Sequence, residues 1–463
     1  MENKGNSIGD FNDYEDLINH LSESIKETSY LDNELFKKYN VKRGLRNEDH
    51  SGVLVGLTNI GDVEGYKKQE NGSVIPLDGR LFYRGIEIKD LVEGIQKEDR
   101  HGFEETVYLL LSGKLPQKEH LKEFTQLLAS KRSLDSNLKM SIMELRGKDV
   151  MNILARTVMV MYANDCCGDD ISEKNLIKQS LNLIAKFPTI ISYAYHSIQH
   201  YYNDETLSIR HPNPELSLAE NFLSMLKGDG RYSALDAQVL DLALMLHAEH
   251  GGGNNSTFTV RVTSSSGTDT YSAITAAIGS LKGPLHGGAN LRVREMFDHL
   301  KETIKNWKDD KEIAGYLLKM LNKEAYNRTG KIYGIGHAVY TKSDPRVVLL
   351  KKMARALAEE KNRLDEYDFL AKIERNAIET FMSYKGSEVG KVVCANVDFY
   401  SGFVYDLIGL PVEIYTPLFA MARIAGWCAH RIEELNFDKK RIIRPAYKNV
   451  VTRTNFVKLE DRG

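Results

Sequence analysis

The sequence predicts a mainly α-helical protein with a small β element near its N-terminus. Amphipathic helical patterns recur through most of the 463 residues, and only 10 prolines interrupt them. Residues 53–84 differ, because β-branched residues and the turn signals Asn71-Gly72 and Asp78-Gly79 favour short antiparallel strands there. A chain of this length exceeds the ~150 residues typical of one domain, so two or three lobes are expected.

Periodicity and stop signals place two of the helices. One is predicted from Ser233 to His250, where apolar residues follow one helical face and three glycines come next. Another is predicted from Asp269 to Lys282, where a Gly-Pro pair follows. Residues 1–30 are polar with a weak helical pattern, which indicates an arm that docks loosely on the rest of the chain.

Composition limits the classes of function. The net charge of -2 and the pI of about 6.7 argue against a nucleic-acid-binding protein, which usually carries a basic excess. No apolar run reaches the ~18 residues of a membrane span, and the N-terminus lacks the apolar segment of a signal peptide, so a cytoplasmic protein is predicted. The four cysteines include no CxxC pair, and we expect reduced, mostly buried thiols.

Four of the 13 histidines lie beside glycine-rich breaks, namely His247, His250, His286 and His337. Glycine lets the backbone turn sharply and lets a ligand approach, so such histidines are placed to face a cleft. His286 precedes a helix predicted over residues 289–305, whose dipole would keep the imidazole neutral and able to donate a hydrogen bond to an oxyanion. A core histidine satisfied by the backbone is the alternative interpretation.

Four charged residues have apolar residues or a proline as sequence neighbours. Asp398 lies among apolar and aromatic neighbours, which raise a carboxyl pKa and make a competent base, although a helix-capping role is equally compatible with the sequence. Arg346, Arg423 and Arg444 require anionic partners, and three forked cations suit the two carboxylates of a small diacid. An internal salt bridge is the alternative for each arginine.

These residues stand in ordered motifs that resemble those of the citrate synthase family. The motifs are His247-Ala-Glu-His250-Gly-Gly-Gly-Asn-Asn-Ser-Thr-Phe, Gly283-Pro-Leu-His286-Gly-Gly-Ala-Asn, Gly334-Ile-Gly-His337-Ala-Val-Tyr-Thr-Lys-Ser-Asp-Pro-Arg346, Asn396-Val-Asp398-Phe-Tyr-Ser, Phe419-Ala-Met-Ala-Arg423-Ile-Ala-Gly-Trp427 and Arg444-Pro445. The resemblance covers residues 53–446. Each motif alone is moderately specific, whereas the ordered set is very specific.

The resemblance implies a citrate-synthase-like, two-domain, multi-helical fold and a homodimer. It places a large helical domain at residues 53–288 and 410–463 and a small helical domain at residues 289–409 that closes over the active site. Residues 1–52 are left as an arm of unknown role. The resemblance implies oxaloacetate and acetyl-CoA as substrates, with no cofactor, metal, nucleic acid or membrane as partner.

The resemblance also implies a role for each site residue. Asp398 would take a methyl proton from acetyl-CoA, His286 would donate a hydrogen bond to the thioester oxygen, and His337 would polarise the ketone of oxaloacetate. The implied oxaloacetate ligands are His250, Arg346 and Arg423, together with Arg444 from the partner subunit. The implied contacts with CoA are Lys342, Gly334 and Gly336. Lys342 lies near the place where the family often carries an arginine.

The implied function is condensation of acetyl-CoA with oxaloacetate and water to citrate and CoA, the entry step of the tricarboxylic acid cycle. A 2-methylcitrate synthase using propionyl-CoA would keep the same catalytic residues, because one methylene changes specificity by only ~1–3 kcal/mol. A citryl-CoA lyase and a non-catalytic CoA-binding scaffold are further alternatives. A metal site at His247 and His250 is another, although the sequence shows no third ligand at a suitable spacing.

Overall fold

The computed structural model describes residues 11–47, 51–69, 74–385 and 392–462. Over these residues the chain is mainly helical with one small sheet, which confirms the predicted fold class. The Asn71-Gly72 turn signal lies outside the described residues. No helix in the described part of the chain is both long enough and apolar enough to span a membrane.

The described residues form three strands and eighteen α-helices, besides short 3-10 turns. The strands are β1 Gly61–Lys68, β2 Val74–Tyr83 and β3 Ile86–Glu87. The helices are α1 Phe11–Thr28, α2 Asn33–Lys38, α3 Ile88–Lys97, α4 Phe103–Ser112, α5 Lys118–Ser130, α6 Ser136–Glu144, α7 Val150–Ala163, α8 Glu173–Asn203, α9 Leu218–Lys227, α10 Ala234–His247, α11 Asn255–Ser264, α12 Thr270–Lys282, α13 Ala289–Thr303, α14 Asp310–Leu321, α15 Pro345–Glu360, α16 Leu364–Lys385, α17 Asp398–Ile408 and α18 Tyr415–Leu435.

The chain divides into two compact units. The smaller unit contains residues 1–55 and 444–463 and includes α1 and α2. Within it, the Lys448 ammonium lies 5.4 Å from the centre of the Tyr39 ring, a cation–π contact between its two segments. The larger unit is residues 56–443. The division into a large domain and a small domain that closes over the site stays a prediction.

The sheet is antiparallel in the order β1-β2-β3, which confirms the predicted β element. The register shifts between Glu64 and Tyr66, so the bulge falls at Gly65. A Cβ atom on Gly65 would lie 2.5 Å from the carbonyl oxygen of Val339, and one on Gly79 would overlap the carbonyl oxygen of Ser343. These two glycines therefore allow the loop over residues 337–343 to lie directly on the sheet.

Helix α10 ends three residues before the predicted position. Its start is as expected, since Ser233 forms a capping box with Asp236. At its end the buried Tyr83 hydroxyl donates a hydrogen bond to the carbonyl of Met245 at 2.9 Å and accepts one from the Glu249 amide at 3.2 Å. The Tyr83 hydroxyl thus forms hydrogen bonds with a carbonyl and an amide that would bond to each other if the helix continued. As a result, His250 lies beyond the end of the helix.

The next two helices follow the predicted bounds more closely. Helix α12 begins after Asp269, whose carboxylate accepts a hydrogen bond from the Ser272 amide at 2.8 Å. Helix α13 begins at residue 289 as predicted and ends two residues short of the predicted 305. Helix α18 is buried along most of its length and packs against α4, α8, α10, α11 and α12, so a charged residue on it is enclosed by the core.

The cysteines correct one expectation. Cys394 and Cys428 are buried as predicted, but Cys166 and Cys167 are exposed. These two residues lie in the turn between α7 and α8, and such connecting segments usually run over the surface.

Candidate active site

Two of the predicted histidines meet between α10 and α15. The ring centres of His250 and His337 are 5.1 Å apart, with the ring planes at 83°. The Tyr340 ring stacks on His337 at 4.6 Å. Nδ1 of His337 accepts hydrogen bonds from the backbone amides of Val339 and Tyr340, each at 3.0 Å. An accepting nitrogen carries no proton, so the neutral His337 ring carries its proton on Nε2.

The loop that carries His337 is paired with the segment before Asp398. The Asn396 amide donates to the carbonyl of Gly334 at 2.9 Å, and the Asn396 side chain donates to the carbonyl of Gly336 at 2.9 Å. Gly336 has a φ of 96°, a backbone conformation that side-chain-bearing residues rarely adopt. This pairing brings together a histidine and an aspartate that lie some sixty residues apart in the sequence.

Asp398 is the first residue of α17. Val397 occupies the N-cap position, so the structure does not use Asp398 as the helix cap. Burial raises the pKa of the Asp398 carboxyl to about 6, Asp344 raises it further, and the positive charges of Arg346 and Arg423 oppose this rise. A carboxylate with a pKa close to neutral is well matched to proton abstraction.

His286 lies in the turn before α13, outside the helix. Its Nε2 accepts a hydrogen bond from the Ser256 amide at 3.3 Å and lies 3.0 Å from the Ser256 hydroxyl. The proton of the neutral ring is therefore on Nδ1. Burial, together with the charge on Arg423, lowers the pKa of His286 to about 4. A neutral imidazole at physiological pH, as expected from the sequence, follows from these causes, of which burial is the largest.

Arg423 is fully buried on α18 and only partly paired. Its Nε donates to the carbonyl of His247 at 2.6 Å, and its guanidinium lies 4.8 Å from the centre of the Phe419 ring. Both terminal nitrogens are buried and have no hydrogen-bond partner among the described residues. Burial lowers the pKa of Arg423 to about 10, so the group remains a cation at neutral pH. A bound carboxylate would satisfy both nitrogens.

Further unpaired polar atoms surround this guanidinium. Nε2 of His250 and both ring nitrogens of His247 are buried with no hydrogen-bond partner within the described ranges. Burial holds the pKa of each histidine well below its usual value, and the charges of Arg346 and Arg423 add to the effect. Neutral imidazoles beside a free guanidinium form a pocket of hydrogen-bond donors suited to an anion.

Arg346 differs from Arg423 because it is already paired. Its Nε and Nη2 donate to the two carboxylate oxygens of Asp344, at 3.0 and 2.7 Å, and both side chains are buried. The internal salt bridge considered for this residue is therefore present. The charge on Arg346 also acts on the pKa of His250 and of Asp398, which places it in the same electrostatic cluster.

The remaining predicted residues lie in different settings. Lys342 is exposed on the loop that lies on the sheet, where Thr341 Oγ1 donates to the carbonyl of Gly65 at 2.6 Å. Gly334 belongs to the loop paired with Asn396. Arg444 is exposed and belongs to the smaller compact unit, and its contribution to a partner's site stays a prediction.

The structure adds four residues that sequence reasoning did not single out. They are Ser256, which bonds His286; Tyr340, which stacks on His337; Asp344, which pairs with Arg346; and Glu249, which is fully buried between His247 and His250. All four lie inside the quoted motifs, and this position is the feature of the sequence that could have identified them as site residues. Their residue types alone do not indicate a functional role, because each type is common in turns and cores.

Two observations bear on the alternatives for this region. Within the described ranges, no third donor joins His247 and His250 in a group able to hold a metal ion. Two cavities of about 640 and 230 Å³ lie elsewhere, one beside β1 and the other between α3 and α10, and neither is lined by His250, Arg423 or Asp398. The cluster combines the buried side chains of His250 and Arg423 with the half-buried side chains of His286, His337 and Asp398.

A mainly helical fold that holds neutral imidazoles, an unpaired guanidinium and a carboxyl of raised pKa has the groups expected of an acid–base enzyme that acts on an anionic substrate. The sequence model described as "Citrate synthase, C-terminal domain" matches residues 49–446. The chain belongs to the citrate synthase family.

Individual relatives agree with this membership. The chain is 35% identical over 410 residues to a citrate synthase of Haloferax volcanii, covering 88% of this chain and 94% of that one. It is also 35% identical over 420 residues to 2-methylcitrate synthase 1 of Corynebacterium glutamicum, covering 89% and 96%. A citrate synthase from Thermoplasma acidophilum, solved in ternary complex with carboxymethyl coenzyme A and oxaloacetate, has a TM-score of 0.74 at 27% identity and covers 91% and 99%.

Proposed function

We propose that this protein condenses acetyl-CoA with oxaloacetate and water to give citrate and CoA, with catalysis by His286, His337 and Asp398. The observation that carries the proposal is the buried guanidinium of Arg423, whose terminal nitrogens are unpaired beside the neutral ring of His250. A dicarboxylate ketone supplies the acceptor oxygens that this pocket lacks. Family membership supplies the reaction type.

The first step is removal of a methyl proton from acetyl-CoA. The Asp398 carboxylate takes the proton, and the electron pair of the C–H bond moves onto the thioester oxygen. Nδ1–H of His286 donates a hydrogen bond to that oxygen, because Nε2 is occupied by the Ser256 amide. Donation from a neutral imidazole stabilises the enolate without placing a second full charge in a buried site.

The second step forms the carbon–carbon bond. The enolate carbon attacks the ketone carbon of oxaloacetate, and the ketone oxygen becomes an alkoxide that takes the Nε2 proton of His337. Nδ1 of His337 already accepts two amide protons, which fixes the ring with Nε2–H as its donor. Water then cleaves the thioester of citryl-CoA, with the hydroxyl adding to the acyl carbon and CoA leaving as the thiol.

Binding of the two substrates is assigned to the residues around this centre. His250, Arg346 and Arg423 would hold oxaloacetate, and Arg444 of a second subunit would complete that site in a homodimer. Lys342 is exposed and free to reach a CoA phosphate, and Gly334 and Gly336 leave room for the CoA chain to approach the backbone. The reaction needs no cofactor besides the acyl-CoA substrate, and we place the enzyme in the cytoplasm and in the tricarboxylic acid cycle.

The test is release of CoA from acetyl-CoA in the presence of oxaloacetate. Loss of the thioester absorbance is the better readout, because exposed Cys166 and Cys167 would themselves consume a thiol reagent. Wild type should turn over, and Asp398→Asn and His286→Ala should lose at least ~10²-fold in kcat while keeping the fold, as judged by circular dichroism. Wild-type protein that is folded but releases no CoA would refute the proposal.

A second candidate function is 2-methylcitrate synthesis from propionyl-CoA. The similarity to a 2-methylcitrate synthase equals that to a citrate synthase, 35% in each case. The catalytic groups are the same for both reactions, so the preference for acetyl-CoA or propionyl-CoA depends on the size of the pocket for the acyl group. Comparing kcat/KM for acetyl-CoA and propionyl-CoA distinguishes them, and a clear preference for propionyl-CoA would replace the first proposal with the second.

A further inference from the structure

We propose that Asp165, Cys166 and Cys167 form a binding site for a thiophilic divalent cation of the zinc class. The three residues are consecutive in the turn between α7 and α8. None of them belongs to the proposed catalytic cluster, so this inference stands independently of the proposed function.

The distances fit one ion. The Sγ atoms of Cys166 and Cys167 are 3.7 Å apart, and both side chains are exposed. Zinc–thiolate bonds of ~2.3 Å at a tetrahedral angle separate two sulfur ligands by about 3.8 Å. The two thiolates can therefore bind one ion without movement of the backbone. A carboxylate oxygen of Asp165 lies with both sulfur atoms in a group of donors all within 4.8 Å of one another.

The turn is held in this conformation by neighbouring helices. The Asp165 carboxylate accepts hydrogen bonds from the Cys167 amide at 2.9 Å, from Gln179 Nε2 at 3.0 Å and from the Tyr271 hydroxyl at 2.8 Å. The Cys167 carbonyl accepts one from Asn175 Nδ2 at 2.9 Å. Because these contacts fix the backbone beneath the thiols, an ion would lose little free energy to ordering of the loop.

Metal binding by the pair is an exchange of protons for the ion, because the thiolate rather than the thiol is the metal ligand. Binding of M²⁺ replaces two S–H protons with two M–S bonds and releases two protons to solvent, with no change of oxidation state. Affinity should consequently rise with pH.

Sulfur ligands determine which cations are selected. Thiolates favour soft or borderline ions such as Zn²⁺ and Cd²⁺, whereas Mg²⁺ and Ca²⁺ require oxygen ligands. Bound to the folded state alone, such an ion would stabilise the protein by mass action. The open side of the turn leaves the remaining coordination position to water.

The test is titration of the full-length, reduced, metal-free protein with Cd²⁺ under anaerobic conditions. Ultraviolet thiolate-to-cadmium charge-transfer absorption should saturate at one equivalent per chain, with two protons released, and excess Mg²⁺ should not compete. Cys166→Ser and Cys167→Ser should each abolish this stoichiometric signal. Asp165→Asn should weaken binding about 10–100-fold, whereas Asp169→Asn, an exposed carboxylate in the same turn, should leave it unchanged.

Two outcomes would overturn the proposal. One is the absence of a saturating signal in reduced wild-type protein. The other is a signal that persists in the Cys166→Ser/Cys167→Ser double variant, which would locate binding elsewhere. Because Asp165 also supports the turn, the Asp165→Asn result counts only if the circular dichroism spectrum of this variant matches that of wild type. If the spectra differ, the proposal is judged on the Cys166→Ser and Cys167→Ser variants alone.

Discussion

Nε2 of His430 lies 2.9 Å from Oε1 of Glu249, and both side chains are fully buried. On the other side of the ring, Nη1 of Arg261 lies 2.9 Å from Nδ1 of His430 and 2.7 Å from a carboxylate oxygen of Glu433. A guanidinium can only donate, so Nδ1 accepts and Nε2–H donates to Glu249. This chain of contacts fixes the segment between His247 and His250 to the end of α18.

Glu249→Gln should therefore destabilise the fold. Burial would raise the pKa of Glu249, but His430, Arg423 and the Gly251 amide hold it below its usual value, so the native state favours the carboxylate. Glutamine can still accept from His430 but removes the negative charge that favours the cationic form of Arg423. We expect a loss of about 1–3 kcal/mol in the free energy of unfolding, measured by urea denaturation.

The matched control for this change is Glu413→Gln, which removes an exposed carboxylate and should stay within about 0.5 kcal/mol of wild type. The sign with pH follows from the lowered pKa. The stabilisation by Glu249 is present above the pKa of an unfolded glutamate and is lost as pH falls through the lower folded value. Equal stability of the two variants at neutral pH would show that Glu249 makes no net contribution.

The activity should decline in acid because of Asp398. Its carboxyl must be ionised to accept a proton, and its pKa is raised to about 6, whereas His286, at about 4, stays neutral through this range. We expect kcat/KM for acetyl-CoA to fall about tenfold per pH unit below pH 6, because protonation of this single carboxylate would account for the acidic side of the pH profile. A profile that stays flat down to pH 5 would remove Asp398 as the base.

The same raised pKa predicts that Asp398 opposes folding. The ionised form is disfavoured in the folded state, so its cost is fully present above about pH 6 and is relieved as pH falls toward the ~3.9 of an unfolded aspartate. Asp398→Asn should therefore have a higher Tm than wild type at pH 8 and little difference at pH 4. A lower Tm at pH 8 would indicate that the carboxylate stabilises the fold.

Arg423→Leu should mainly weaken the binding of oxaloacetate. Removing one partner of a buried charge pair costs about 2–5 kcal/mol of binding free energy, so the KM for oxaloacetate should rise far more than that for acetyl-CoA. Arg431→Leu is the control, because this buried arginine on the same helix already donates to Ser264 and to the Thr268 carbonyl. It should lose stability but keep its KM, and an unchanged KM in Arg423→Leu would exclude Arg423 from the site.

Gly65→Ala should impair activity by displacing the loop over residues 337–343 from the sheet. Its new Cβ would lie within 3 Å of backbone atoms of Val339 and Tyr340, which belong to the loop that fixes His337. We expect kcat to fall with a loss of stability of about 1–3 kcal/mol. Gly94→Ala, in α3 with no atom within 4 Å of its Cβ, should be neutral or stabilising. Equal activity of the two variants would show that the loop does not depend on the sheet.

Much of this molecule could be predicted from local sequence. Periodicity and the Gly-Pro stop signal placed α12 within one residue, because both signals act over a few neighbouring positions. Glycine-flanked histidines pointed to the site for a similar reason, since the conformational freedom of glycine is a property of the residue itself. The ordered motifs indicated the family by themselves, because residue type and spacing along the chain carry that signal.

Three-dimensional contacts decided the rest. The Tyr83 hydroxyl, far away in the sequence, binds the backbone where α10 ends before His250, and burial together with the charge on Arg423 lowers the pKa of His286. Arg346 and Arg423 looked alike in the sequence, yet of the two only Arg346 forms an ion pair among the described residues, and the terminal nitrogens of Arg423 have no hydrogen-bond partner there. The sequence determined which groups were available, but pairing and pKa depend on distances of a few ångströms and on exclusion of water, which exist only after the chain has folded.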